Sequence, residues 1–152
     1  MKLDKQNIIE YRIATVDDLS LLAKMNRELI EDEKHRSRSM TMPQLEERMR
    51  GFLTGKYEAV IFEESGKTAA YSLYCDEGDH IYLRQLFVCR DRRRHGIGRK
   101  AIEILLQNIW PKDKRITLGV LSHNKEGYAF WKAVGFKDYA IELEMMPCPE
   151  QT

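Results

Sequence analysis

Apolar positions recur along the chain with two periods, and the changes of period divide it into elements. Residues 8–14 (Ile-Ile-Glu-Tyr-Arg-Ile-Ala) alternate as a half-buried strand does. Thr15 with Asp18 forms a capping box, and the helix it opens carries Leu19, Leu22, Ala23, Leu29 and Ile30 on one face. Thr41, Pro43 and Gln44 open a second helix, with Leu45, Met49 and Phe52 at helical spacing and Gly55 as its stop. Two strands, 57–64 and 67–75, meet at Ser65-Gly66 as a hairpin. Gly78 marks a turn before a strand over 81–88. An arginine- and glycine-rich segment follows, then a helix through Trp110 that Pro111 stops. A strand over 115–121, a helix over 125–134 capped by Gly135, and a last strand over roughly 136–146 complete the series. The order β-α-α-β-β-β-α-β-α-β predicts an α/β chain of mixed α+β type, a mixed sheet with helices on both faces.

Composition narrows this picture only slightly. A length of 152 residues suits one compact domain, and 43% hydrophobic with 32% charged residues reads as globular. No apolar run approaches the ~20 residues of a membrane helix. Met1–Asn7 lacks an apolar signal core, so a cytoplasmic protein with no membrane partner is expected. The formal net charge of +1 supplies no global attraction for nucleic acid. Cys75, Cys89 and Cys148 show no C-x-x-C spacing, and His35, His80, His95 and His123 no ligand spacing, so no metal site is expected. Cys75 and Cys89 lie in apolar strands and read as small hydrophobes.

Chemistry concentrates at Gly96-Ile97-Gly98, between a strand and a helix that buries Ile97, Ala101, Ile104, Leu105 and Ile109. The first amides of a helix lack intrahelical partners and sit at the positive end of its dipole, which makes an anion site. Glycine lets the backbone approach a phosphate closely. Arg92, Arg93, Arg94, Arg99 and Lys100 add positive charge, although a solvated basic loop would look the same. Gly96-x-Gly98-x-x-Ala101 also fits a dinucleotide fingerprint. That fingerprint needs the glycines directly after the strand and an acidic residue about 20 positions on. Here Arg90 to Arg94 intervene, and the next strand ends in Ser122-His123-Asn124, with no carboxylate for a ribose. Gly98-Arg99-Lys100-Ala101 likewise fails the P-loop pattern.

Leu86-Phe87-Val88 followed by Arg93-Arg94-His95-Gly96-Ile97-Gly98, and then Asn124, Gly127, Phe130-Trp131 and Gly135-Phe136, resemble the two signatures of the GNAT superfamily of N-acetyltransferases. The resemblance implies a central, mostly antiparallel GNAT sheet and one acetyltransferase domain over residues 1–152. It implies acetyl-CoA as co-substrate, its pantetheine arm in an opening between the strand ending near Val88 and the strand near 115–121. Main-chain groups at Phe87 and Val88 would bind the arm and polarise the acetyl carbonyl. Arg93, Arg94, His95, Gly96, Ile97, Gly98, Arg99 and Lys100 would form the pyrophosphate turn. Asn124 would touch the cofactor near the arm, or cap its helix, or both. Trp131 would also lie at the cofactor, where many relatives carry a tyrosine that protonates the departing thiolate. An indole N–H is no useful proton source, so Tyr128 and Tyr139 are the candidate acids.

The acceptor implied is a primary amine attacking the thioester directly. An alkylamine with a pKa near 10.4 is only about one part in a thousand neutral at pH 7, so deprotonating it matters by roughly 4 kcal/mol. Tyr82 and Arg84, on the strand before the glycine turn, are not ordinary bases. Glu28, Glu31, Asp32, Glu33 and His35 supply candidates, with Glu28 and Asp32 foremost. This acidic run would favour a cationic small molecule such as a polyamine or aminoglycoside, or would be a solvated helix end. The alternatives are an acyl-CoA binding or sensing domain of weak activity, an acetyltransferase of protein or peptide amines, and a nucleic-acid binder using Arg90, Arg92, Arg93 and Arg94. Relatives often pair through sheet edges or C-terminal strands, so a homodimer is also implied.

Overall fold

The computed structural model describes residues 8–148, without the side chains of Ser37 and Arg38. Met1–Asn7 and residues 149–152 lie outside the described residues. The chain falls into two compact units, divided between Leu121 and Ser122.

The first unit is a five-stranded sheet in sequence order, β1 (Ile9–Ile13), β2 (Tyr57–Glu64), β3 (Lys67–Asp76), β4 (His80–Val88) and β5 (Arg115–Thr117). All neighbours pair antiparallel except β4 and β5, which are parallel. Two helices, α1 (Leu19–Glu33) and α2 (Met42–Thr54), separate β1 from β2. Both expected capping boxes are present, Thr15 with Asp18 ahead of α1 and Thr41 with Gln44 at α2. Period-2 alternation divides the strands between two faces. Ala59, Ile61, Tyr71, Leu73 and Phe87 pack with Leu19, Leu22, Met25, Leu29 and Met49 in one cluster. Val60, Phe62 and Ala70, at the alternate positions, are also buried. On that side α3 (Ile97–Ile104) contacts β1, β3 and β4.

The helix expected to run through Trp110 changes type midway. Leu105–Ile109 form a π-helical turn, and Trp110 N–H donates to the Leu105 carbonyl at 2.8 Å. The wider turn leaves Trp110 buried, edge-on to Tyr74 at 5.6 Å. β5 is shorter than the expected 115–121 and stops at Thr117. Among the described residues, no helix is long and apolar enough to cross a membrane.

The second unit holds α4 (Lys125–Val134), closed by Gly135 at φ 115°. The strand expected over 136–146 is absent: these residues join no ladder. Tyr139, Ile141, Leu143 and Met145 do alternate, yet each is more than 80% exposed. Alternation gives a segment a face but does not supply the neighbouring strand that a ladder needs.

Candidate functional site

Two features of the first unit meet at the C-terminal end of β4. The first is an unpaired strand edge. β5 pairs with β4 only at His80–Arg115, Ile81–Ile116 and Tyr82–Thr117, so no ladder bond from β5 reaches β4 beyond Tyr82. The other edge stays paired with β3 as far as Ala70–Val88, and Cys89 N–H donates to the Ala69 carbonyl at 2.8 Å. Backbone groups of an antiparallel strand alternate between its edges. Phe87 and Cys89 therefore turn their amides to β3, and Leu86 and Val88 turn theirs to the side β5 has left, so of the expected pair Phe87 and Val88 only Val88 offers its amide to a ligand there. An N–H pointing there is an open position for an extended ligand.

The second feature is the glycine turn. Arg94 and Gly96 both take left-handed backbone, with φ of 68° and 74°. A Cβ added at Gly96 would meet nothing within 4 Å, so glycine serves the backbone conformation there rather than close packing. Ile97 then begins α3, with Gly98 buried in its first turn. The opening amides of this helix, at the positive end of its dipole, suit a phosphate.

The arginines ahead of the turn are fasteners rather than a loose cationic patch. Arg90 reaches Asp32 at 2.9 Å, Glu31 at 3.2 Å and Glu28 at 3.8 Å. Arg93 holds Asp32 at 2.6 Å, donates through Nε to the Val88 carbonyl at 3.0 Å and lies over the Phe87 ring. Arg92 pairs at 2.6 Å with Glu64, a buried carboxylate at the end of β2. The turn is thus tied to α1 on one side and to β2 on the other. Burial pushes the Asp32 carboxyl up, but hydrogen bonds from Arg93 and Arg90 outweigh it and hold the group below the ordinary carboxylate range. The acidic run at the end of α1 is therefore largely spent on these two arginines.

Of the expected donor-site residues, Phe87 and Val88 end β4, and Arg93, Arg94, His95, Gly96, Ile97, Gly98, Arg99 and Lys100 form the turn and the start of α3. Glu28 and Asp32 lie beside the turn through their arginine partners. Asn124, Tyr128, Trp131 and Tyr139 belong to the second unit. There Asn124 Oδ1 accepts from Gly127 N–H at 3.0 Å and caps α4. Trp131 packs edge-on between Phe130 and Phe136, at 4.9 and 5.3 Å. The Tyr128 hydroxyl donates to Asp138 at 2.8 Å, a bond that raises the phenol pKa. Tyr139 is exposed.

Sequence reasoning did not anticipate a buried polar triangle beside β4. Asn26 Nδ2 donates to the Tyr71 hydroxyl and to Gln85 Oε1, both at 3.2 Å, and the Tyr71 hydroxyl donates to Gln85 Oε1 at 2.8 Å. Burial raises the Tyr71 phenol well above its ordinary pKa, which keeps it neutral. The signal was available, because Asn26 sits among the core positions Leu22, Met25, Leu29 and Ile30 of α1.

A strand edge left open beside a helix N-terminus is a site for an extended ligand carrying phosphates at one end. The chain belongs to the acetyltransferase (GNAT) family, whose model matches residues 22–136. Membership makes it an acyltransferase with acetyl-CoA as co-substrate. Solved structures share the fold at low identity. A possible acetyltransferase from Clostridium difficile 630 is 20% identical with a TM-score of 0.75, over 94% of this chain and 99% of that one. The aminoglycoside N-acetyltransferase AAC(6')-Iy, in complex with CoA, is 12% identical with a TM-score of 0.73, over 97% and 100% of the two chains. A predicted acetyltransferase from Clostridium acetobutylicum, solved with acetyl-CoA, is 20% identical with a TM-score of 0.70, over 91% and 96%. No curated protein matches the chain in sequence.

Proposed function

We propose that the chain moves the acetyl group of acetyl-CoA to a primary amine of a small molecule by direct attack, as a cytoplasmic enzyme whose single acetyltransferase domain spans residues 1–152. The observation that carries this reading is the open β4 edge running into the glycine turn. The family match also runs unbroken across the boundary at 121 and 122, in favour of one domain. In this reading the Leu86 and Val88 amides take the arm and the thioester oxygen, and the backbone of Arg94 to Arg99 takes the pyrophosphate. A fixed N–H aimed at the carbonyl strengthens its hold as negative charge develops on oxygen. The thiolate, with a parent thiol pKa of about 8.5, is a fair leaving group without a strong acid, which lowers the demand on Tyr128 or Tyr139. Glu28, with its arginine contact at 3.8 Å, is less committed than Asp32 as a base.

Aminoglycoside acetyltransferases among the structural neighbours are the support for a small-molecule acceptor, and through it for a polyamine or aminoglycoside. The pairing of Glu28, Glu31 and Asp32 with Arg90 and Arg93 withdraws the electrostatic argument for a polycation. Pairing as a homodimer is part of the family expectation. Acetyl-CoA mixed with polyamines, aminoglycosides, amino acids and peptides, with free thiol detected, is the test. Amine-dependent thiol release is expected. Tight CoA binding without thiol release for any amine would leave a binding or sensing domain instead.

A further inference from the structure

Two arginines on the α1/α2 side of the sheet differ from those at the glycine turn. Arg48 of α2 and Arg84 of β4 share one aromatic shelf. The Arg84 guanidinium lies 4.9 Å from the Phe52 ring centre and 5.7 Å from that of Tyr57, and Arg48 lies 5.6 Å from Phe52. The two rings meet edge-on at 4.9 Å. Arg84 also donates to the Tyr57 hydroxyl at 3.3 Å, and Arg48 donates to the Met40 sulfur at 3.8 Å, a weak acceptor.

Among the described residues, neither guanidinium is paired with a carboxylate. Arg12, Arg90, Arg92 and Arg93 all are. Arg48 is half-buried, and burial with the nearby charge of Arg84 pushes its pKa down. An arginine does not escape such a position by losing its proton, so two like charges stand together without a counter-ion among the described residues. Stacking on aromatic faces fixes both planes and leaves their N–H edges to bind. The strand itself presents Arg84. Leu73 pairs with Gln85 and Tyr74 with Leu83, so Arg84 is the extra residue of a bulge, the kind of irregularity that re-aims a side chain. It lies two residues, about 7 Å, along β4 from the Leu86 amide. Arg48 also borders an open cleft of about 640 Å³ with Ser39, Met40, Gln44 and Glu47, room enough for a small molecule. The carboxylate in that cleft, Glu47, faces Arg50 at 3.6 Å.

We propose that Arg48 and Arg84 dock an oxyanion, carboxylate or phosphate, carried by the amine acceptor. The acceptor is then an amino acid-like or phosphorylated amine rather than a polycation, and this rests on the acetyltransferase reading above. Bidentate contact with planar guanidinium groups would orient such a molecule with its amine along β4 toward the thioester.

The test compares matched amines with acetyl-CoA as donor: amino acids against their amides, and phosphoethanolamine against ethanolamine, with spermidine as the polycation. The anionic member of each pair is expected to have the higher kcat/KM, the two pairs separating carboxylate from phosphate. Arg48→Gln and Arg84→Gln are expected to lower that value about 10- to 100-fold, mainly through KM. Arg84→Lys, which keeps charge but not the fork, should fall between. The Kd for CoA should not change, and unaltered circular dichroism excludes misfolding. Independently, inorganic phosphate titrated into the CoA-saturated protein should bind wild type and not Arg84→Gln. Amides acetylated as well as acids, or a CoA Kd weakened in step with the amine KM, would overturn the inference and leave the acetyltransferase reading standing. Phosphate binding that depends on Arg84, with no amine acetylated, would uphold the oxyanion site and sink the enzyme reading.

Discussion

Gly127 is fixed by its neighbour rather than by its backbone. A Cβ there would stand 2.5 Å from Nδ2 and 2.9 Å from Cγ of Asn124, the side chain that caps α4. Alanine therefore displaces the carboxamide and removes the cap. Gly127→Ala loses the cap, usually worth about 1 kcal/mol, but gains helix propensity over glycine of up to a similar size. Asn124→Ala should lower the denaturant midpoint by the full ~1 kcal/mol, and adding it to Gly127→Ala should cost little more, because the cap is already lost there. An Asn124→Ala protein as stable as wild type would mean that the cap contributes nothing. The spacing of Asn124 and Gly127 was legible in the sequence as a signature. Its steric reason was not, because it depends on a rotamer. Gly96 is the opposite case, with free space for a Cβ and a φ of 74° that an L side chain resists.

At the scale of elements, what the sequence disclosed follows from what each element needs. Both capping boxes and the hairpin at Ser65-Gly66 were legible because caps and turns are local. The extent of β5 and the absence of a strand over 136–146 were not, since a ladder depends on a partner set by the whole fold. The arginine run shows the same limit. Residue types announced a basic patch, while the partners of Arg90, Arg92 and Arg93 come from α1 and β2, about 30 to 60 residues earlier in the chain. These pairs join the end of α1 to the turn and so preset the anion site. Asp32→Asn, which keeps the shape and removes the charge, should weaken CoA binding roughly three- to tenfold. The pH dependence has a definite sign. The folded pKa of Asp32 is depressed below 3.8, so its contribution is complete above that value and disappears as pH falls through the lower folded pKa. Acid unfolding of wild type should therefore include a component that Asp32→Asn lacks; identical acid profiles would show that the pairs do not stabilise the turn.

For the molecule as a whole, the decisive asymmetry is between the two edges of β4. One edge is paired with β3 to its end, and the other loses its partner at Tyr82. The burial of Phe87 against the α1 cluster and the bond from Cys89 to Ala69 hold the strand to β3 past the point where β5 departs. The opening is thus built into the sheet and does not require a moving loop. A donor lying in that opening must satisfy particular amides and leave others untouched. Hydrogen exchange measured residue by residue, with and without CoA, tests this directly. Adding CoA should slow exchange at Leu86 and Val88 and at the opening amides of α3, Ile97 and Gly98. Phe87 and Cys89, whose amides already face β3, should change little beyond any global stabilisation, which RT ln(1 + [L]/Kd) gives for all amides that exchange by complete unfolding. Uniform slowing along β4 would mean that CoA acts only through overall stability, and slowing confined to α3 would place the phosphates but remove the arm from the strand edge.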